Sequence, residues 1–319
     1  MAHAIRLYEH GDPGVLNWER VEVGEPGPGE VRLRQRAVGL NFVDTMFRDG
    51  TFPLTLPTVL GIEGTGTVEA VGPGVDHSVG DRVAYFYAPG SYATERVVSA
   101  VPLVRLPDDI SVEQSATFLG KGLTAWMGLR LLHQIKAGET ILVQGASGAT
   151  GTILSVWAKA LGAKVIGTTG SPGKLDSLSS IADHALLASD GGFERDLKNL
   201  APEGVDVVYE FVGKATLAKS VAALRDGGAL VTIGAASGSG ELDEGLLAAR
   251  GISVSGGSTV RNVHGELVGQ ATGDLFSAIR DGVFSSVEAA RYPLRAAAQA
   301  HEDIRGRRLV GPSYFISSE

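Results

Sequence analysis

The stretch LVQGASGATG, residues 142–151, sets Gly145, Gly148 and Gly151 directly behind the apolar run TILVQ and ahead of the helical pattern TILSVWAKALG. A strand that enters a helix through so short a turn needs residues without a Cβ. One makes the turn, one lets backbone approach a pyrophosphate, and one lets the helix lie close to its strand. The N-terminus of that helix then presents unpaired N–H groups and the positive end of its dipole to an anion. The spacing predicts a βαβ unit with a dinucleotide held at Gly145, Gly148, Ala149, Thr150 and Gly151; a ligand-free strand-to-helix corner is the other use of such a turn.

The surrounding pattern extends that unit. Strand-like runs recur at TILVQG, AKVIGTT, VDVVYEFV, GALVTIG and GISVSGG, with amphipathic stretches between several of them, which predicts a doubly wound parallel sheet. The first hundred or so residues differ: VRLRQRAVGL and GTGTVEAVGPGVDHSVGDRVAYFY read as short antiparallel strands broken by Gly and Pro. At Ser111, with Gln114 three residues on, a capping box opens a helix. A helix (ELVGQATGDLFSAIRDG) and a last strand (SYFIS) follow His264 and are too little for a domain of their own, so they are expected to return to the first one. The fold class is α/β: a discontinuous β-rich domain over 1–120 and 266–319, and a dinucleotide-binding domain over 121–265. A chain of 319 residues suits two such domains.

Composition narrows the partners. A net charge of −8 gives no general attraction to nucleic acid, and no apolar run approaches the roughly 20 residues that span a bilayer. Cysteine is absent and the seven histidines are scattered, so no metal site is expected. The opening MAHAIRLYEHG lacks a signal's apolar core, and a cytoplasmic protein is expected.

The second strand of the sheet decides between nicotinamide cofactors. An NAD site would put Asp or Glu at its end, about 20 residues past the motif, to hold the ribose hydroxyls. Here stand Thr168, Thr169, Gly170 and Ser171, with Lys174 one turn on. Nothing there repels a 2′-phosphate, and Ser171 and Lys174 are placed to bond one. Such charge-assisted bonds contribute roughly 1.5–3 kcal/mol, enough to favour NADPH. A plain surface lysine is the alternative for Lys174.

Two further stretches, GLNFVDTMFRDG (39–50) and LGIEGTGTVEAVGPGV (60–75), together with FLGKGLTAW (118–126), resemble the zinc-independent quinone oxidoreductases of the medium-chain dehydrogenase/reductase superfamily, essentially end to end. The resemblance implies a GroES-like β domain, a Rossmann domain, NADPH in the cleft between them, and a homodimer formed through the Rossmann sheet edges. Zinc-dependent relatives carry a Cys near Leu40 or Asn41 and a His within a Gly-His-Glu stretch; this chain reads Gly39-Leu40-Asn41 and Gly61-Ile62-Glu63.

Without a metal the acceptor must stabilise its own charge. Hydride addition to an ordinary aldehyde makes an alkoxide whose conjugate acid has a pKa near that of water, about 15.7. A quinone gives a phenolate-like anion with a conjugate acid near 10, a difference of about 8 kcal/mol that the protein need not supply.

The resemblance also assigns residues. Asn41 would donate an amide hydrogen bond to the cofactor ribose or the substrate oxygen and Asp44 would orient it, unless both merely cap a helix. Lys121 and Thr124 match a Lys-Gly-Leu-Thr stretch and would face the cleft or pack. Val212, Gly234 and Ala235, at the ends of VDVVYEFV and GALVTIG, complete the cofactor set. Met46 and Phe52 stand where related bacterial enzymes often carry tyrosines, which leaves an apolar substrate pocket with proton delivery from water. Ala188 replaces a further tyrosine beside the 2′-phosphate, and Ala149-Thr150 replace a commoner Gly-Val. Arg307, in RGRRL, would reach the cofactor phosphate or belong to a solvated charge run.

The activity expected is NADPH-dependent reduction of a quinone. An activated carbon–carbon double bond (enone, enal or substituted acrylate) is the alternative acceptor, and a non-catalytic, crystallin-like NADPH-binding protein the rival of another class.

Overall fold

A computed structural model describes residues 1–317 of the chain. Short alternating runs form eight strands: β1 (Ala2–Leu7), β2 (Leu16–Val21), β3 (Glu30–Leu40), β4 (Thr58–Val59), β5 (Glu63–Val71), β6 (Arg82–Phe86), β7 (Glu95–Ser99) and β8 (Leu103–Arg105). β1 pairs with β2 and β4 in a small sheet, while β3 lies antiparallel to β5 and β7 in a larger one. Along β3 burial alternates only as far as Arg36; Ala37 to Leu40 are all buried. The change has a packing cause. Val38 and Leu40 enter a core with Ile5, Leu60, Tyr92 and Phe315, while Ala37 faces Ala116, Tyr314 and Ile316. That buried end delivers the chain into helix α1 (Phe42–Asp49), which Gly50 closes in the left-handed conformation (φ 84°) that a residue without a Cβ adopts freely.

Helix α2 (Val112–Trp126) begins with the expected capping box: the Ser111 N–H donates to Gln114 Oε1 at 2.9 Å, and the Gln114 N–H to Ser111 Oγ at 3.0 Å. The chain forms two compact units. Met1–Gly120 with the segment from Ala289 onward is one, Lys121–Glu288 the other, and the boundary falls inside α2.

The second unit is the parallel sheet: β9 (Thr140–Gln144), β10 (Lys164–Thr169), β11 (His184–Leu187), β12 (Val205–Glu210), β13 (Leu224–Thr232) and β14 (Ser253–Gly256), in the order β11-β10-β9-β12-β13-β14. The order reverses between β9 and β12, the switch point at which such sheets open a crevice beyond their carboxyl ends. Helix α3 (Ala149–Ala160) follows β9 through the glycine turn. β11 was missed from sequence because its four residues are each half-buried at a sheet edge, and an apolar run as short as Ala185-Leu186-Leu187 does not separate a strand from a helix or a loop.

Strands β15 (Ala290–Pro293) and β16 (Ser313–Ile316) return to the first unit, where β16 pairs antiparallel with β3. The return comes later than the sequence reading expected. The helix Glu266–Arg280, assigned there to the β-rich domain, belongs to the second unit. Trp126 Nε1 donates to Asp274 at 2.7 Å, Leu275 fills the space over Gly122, and Phe284 meets the Trp157 ring edge-on. Its amphipathic pattern announced a buried face without saying which core would bury it. No helix among the described residues is long and apolar enough to cross a membrane.

Candidate active site

Asn41 joins β3 to α1 in extended backbone. Asp44, wholly buried, accepts the Asn41 backbone N–H at 2.9 Å, so the capping alternative describes part of this corner. The Asn41 side chain has another partner: Nδ2 donates to Glu63 Oε2 at 2.9 Å. Glu63, at the start of β5 and buried, also accepts the Gly120 N–H at 2.8 Å through Oε1. A buried carboxylate needs such bonds to offset its lost hydration. Space for it comes from glycine. A Cβ on Gly39 would lie 2.9 Å from Glu63 Cγ and nearer still to the carboxylate, and one on Gly120 would meet Oε2 at 2.9 Å. Sequence reasoning quoted Glu63 only as the end of Gly61-Ile62-Glu63 and gave it no role. The signal was the pair of glycines, but the bonds that explain them span 22 and 57 residues.

Behind Asp44 lies a buried polar chain. Tyr92 Oη donates to Asp44 Oδ2 at 2.9 Å and lies 3.1 Å from His301 Nε2, while Arg48 Nη1 stands 3.3 Å from His301 Nδ1. Burial first, and then the Arg48 cation, push His301 down from 6.5 to about 3. Burial likewise raises the Tyr92 phenol well above its ordinary value, with Asp44 adding to the effect.

The depressed histidine implies acid sensitivity. Between pH 6.5 and about 3 the unfolded chain binds a proton at His301 that the native chain refuses, so this contribution to stability is complete above pH 6.5 and is lost as pH falls. At 1.36 kcal/mol per unit, the loss at pH 5 is about 2 kcal/mol. Urea unfolding at pH 7.5 and pH 5 is expected to show that difference in the wild type and a much smaller one in His301→Gln. Asp183, Asp206 and Asp303, whose carboxyls are held below their ordinary 3.8, titrate at lower pH and do not mask it.

In the second unit the three glycines occupy the positions the motif requires. Gly145 adopts φ 77° and faces Val212, whose Cγ2 a Cβ would meet at 3.1 Å. Gly148 caps α3, with Ala149 and Thr150 in its first turn. A Cβ on Gly151 would lie 2.8 Å from Ala146 Cα and closer still to the Gly145 carbonyl oxygen. The ends of β9 and β10 are stitched together by hydroxyls. Thr168 Oγ1 accepts the Gly145 N–H at 3.2 Å and donates to Gln144 at 2.7 Å, and Ser147 Oγ donates to Thr169 Oγ1 at 3.0 Å. After β12, the buried Glu210 carboxylate accepts the Val212 and Gly213 N–H groups at 2.7 and 2.9 Å and the Thr216 hydroxyl at 2.9 Å. Gly234 packs on Phe211, and Ser237 N–H donates to the Val212 carbonyl at 2.7 Å, which brings Ala235 to the same rim. Glu210 is a second organiser that sequence reasoning missed, although these partners lie only two, three and six residues on, because a carboxylate at a strand end does not show in sequence that it turns back into the following loop.

Past β10, Gly170 is exposed and Ser171 and Lys174 half-buried, with Lys174 in the short helical turn Pro172–Lys174. Ala188 follows β11; its N–H donates to Thr169 O at 2.9 Å and its carbonyl accepts Lys219 Nζ at 2.8 Å. An ammonium thus stands beside Ala188, from a helix that the amphipathic stretch KATLAKSVAALRDG announced, although Lys219 itself was given no role from sequence. Lys121 is buried, and Thr124 shares a hydroxyl bond of 2.8 Å with Thr259. Both belong to the second unit. In the first unit, the Phe52 N–H donates to Met46 O at 3.0 Å, and Phe52 is 40% exposed against the Phe47 ring. Arg307 is exposed and holds φ 54° at the C-terminal end of the helix Ala297–Arg305, where Gly is usual. Its neighbours Arg305 and Arg308 pair with Asp12, Glu302 and Asp303; the Arg307 guanidinium has no such partner among the described residues.

Among the described residues no three His, Asp or Glu side chains converge as a metal's ligands would. Ile62 stands at the His position of the Gly-His-Glu stretch named above, and the adjoining Glu63 carboxylate accepts the Asn41 amide. Residues 27–108 match the alcohol dehydrogenase GroES-like domain family, and 149–269 the zinc-binding dehydrogenase family. The chain is 36% identical to a 2-haloacrylate reductase of a Burkholderia species, covering 98% of both, and 37% identical to a quinone oxidoreductase of Pseudomonas aeruginosa, covering 99% of this chain and all of that one. Its fold is similar to that of Escherichia coli quinone oxidoreductase complexed with NADPH, with a TM-score of 0.93 at 36% identity over 98% of this chain and 99% of that one. On its glycine turn, its paired folds and this end-to-end likeness, the chain belongs to the quinone oxidoreductase family of the medium-chain dehydrogenase/reductase superfamily.

Proposed function

We propose that this protein is a cytoplasmic, NADPH-dependent oxidoreductase that reduces a quinone without protein-bound zinc. The observation that carries this reading is the Asn41–Glu63 bond: Asn41 and Ile62 stand where the zinc-dependent relatives carry the Cys and the His of Gly-His-Glu, and the Asn41 amide is tied to the adjoining Glu63 carboxylate. The glycine cradle fits the cofactor, because Gly145 holds the left-handed φ of 77° that side chains strain and Gly151 lies too close to the Gly145 and Ala146 backbone to carry one. Bound there, NADPH supplies the hydride from nicotinamide C4.

The chain's residues have the remaining tasks. N–H groups of Ala149, Thr150 and Gly151 bind the pyrophosphate at the α3 N-terminus, while the Gly148 N–H closes the turn on the Gly145 carbonyl at 2.9 Å. Ser171 and Lys174 hold the 2′-phosphate, with Lys219 near Ala188 adding positive charge, and Arg307 is a further cation for the cofactor phosphate. Gly170, Val212, Gly234 and Ala235 form the rim along the cofactor, and Lys121 and Thr124 its nicotinamide side. Glu63 takes one Nδ2 hydrogen of Asn41 and so fixes the other toward the oxygen on which charge develops, a preorganised donor of the kind that stabilises oxyanions. Met46 and Phe52 line the acceptor pocket and leave proton delivery to water. Two copies pair through the exposed edge of β14, where Val254 is 45% exposed.

The apolar pair Met46 and Phe52, together with the likeness to a 2-haloacrylate reductase, favours activated alkenes as the second acceptor class. Anaerobic oxidation of NADPH, with NADH as control, against an ortho-quinone and against a 2-alkenone or substituted acrylate separates the readings. A far higher kcat/KM on the quinone with hydroquinone as product supports the first. Efficient saturation of the alkene with a slow quinone reaction replaces it by the second, and tight NADPH binding without turnover by a non-catalytic protein.

Arg307 has its own test. Arg307→Gly is expected to stabilise the fold by about 1 kcal/mol, because glycine adopts the left-handed conformation without strain. It should also weaken NADPH binding roughly tenfold and leave NADH unchanged, the size expected for one lost charge-assisted bond. A thermal melt and two fluorescence titrations read the opposite signs; unchanged NADPH affinity would remove Arg307 from the site.

A further inference from the structure

We propose that Arg48, His301 and Tyr92 form a proton-ordered relay that positions Asp44, and through it Asn41, for the reduction step. The inference rests on the role assigned to Asn41 above. Asp44 and Arg48 sit one turn apart on α1, yet the Arg48 guanidinium turns to Gly11 O, at 2.9 Å from Nε, and to His301. Arginine only donates, so His301 Nδ1 must accept and Nε2 must carry the hydrogen. Nε2 then donates to Tyr92 Oη, and the phenol hydrogen has one remaining direction, toward Asp44 Oδ2. Every link donates away from the cation and toward the carboxylate, whose same oxygen accepts the Asn41 backbone N–H at 2.9 Å. One hydrogen arrangement satisfies the whole chain.

The setting is built for it. His301 and Asp44 are fully buried, Tyr92 likewise, and Arg48 is 4% exposed. The Tyr92 ring occupies the space beside Gly61, where a Cβ would overlap both it and Ser91 Oγ, and it packs edge-on against Phe315. The phenol therefore has little freedom to leave Asp44. The members come from α1, from the segment before β7 and from the helix Ala297–Arg305, so the relay ties the C-terminal part of the chain to the corner that carries Asn41. These are positioning residues, since each acts on Asn41 through another group.

The test uses full-length protein. Tyr92→Phe and His301→Leu are expected to lower kcat about tenfold with NADPH Kd within twofold of wild type. His301→Gln, whose amide can accept from Arg48 and donate to Tyr92, is expected to retain kcat within threefold. Added to Asn41→Ala, Tyr92→Phe should cost nothing further. If the two losses multiply, or if His301→Gln and His301→Leu lose kcat and Tm alike, the relay is structural only and the proposal falls. Should His301→Leu fail to fold, Tyr92→Phe, which removes a single oxygen, decides through the same cycle. If the wild type reduces no quinone or alkene, the functional reading fails separately, and the amide spectrum of ¹⁵N-labelled protein decides the relay. A shifted Asn41 side-chain resonance in Tyr92→Phe supports it, and an unmoved one overturns it.

Discussion

Gly151→Val is expected to weaken NADPH binding at least a hundredfold and to destabilise the second unit. The glycine lies where α3 crosses the turn, and a side chain there would press on the Ala146 Cα and the Gly145 carbonyl, which are backbone and cannot rotate away. Overpacking of this kind typically costs about 1–3 kcal/mol when side chains can adjust, and these atoms adjust only if α3 moves. Displacing α3 withdraws the first-turn N–H groups that would face the pyrophosphate, so affinity falls further than stability. Fluorescence titration and a thermal melt measure the two losses. An NADPH Kd within threefold of wild type would mean that the turn is a ligand-free corner.

Asn41→Ala is expected to lower kcat/KM by about two orders of magnitude, the usual effect of removing one preorganised donor from a developing oxyanion. NADPH affinity should change far less if the amide serves the substrate oxygen; a matching rise in NADPH Kd would place it on the ribose instead. The substitution also deprives the buried Glu63 carboxylate of a donor, a loss that costs roughly 1–3 kcal/mol and appears in the melt. Steady-state kinetics at saturating NADPH separate the effects. A fall in kcat/KM smaller than threefold would restrict Asn41 to its structural corner.

What could be read along the chain was whatever local rules govern. The glycine turn, the Ser111–Gln114 box, the absence of an acid after β10 and the capping role of Asp44 each depend on residues within a few positions, so backbone geometry and short-range hydrogen bonding determine them before any tertiary contact forms. The period of the apolar pattern likewise separated a β-rich segment from a parallel sheet. Tertiary structure alone decided three other matters. The Glu266–Arg280 helix chose the core containing Trp126 and Gly122, a choice that amphipathicity leaves open because it names a face and not its partner. Glu63 became the partner of Asn41 only when β5 was set beside β3, a pairing that long-range sheet register imposes. His301 gained its role from Tyr92 and Arg48, 209 and 253 residues away. A lone histidine in sequence has no direction. Burial gave this one a single tautomer and two neighbours, because a buried polar hydrogen must find an acceptor and only one arrangement here provides it.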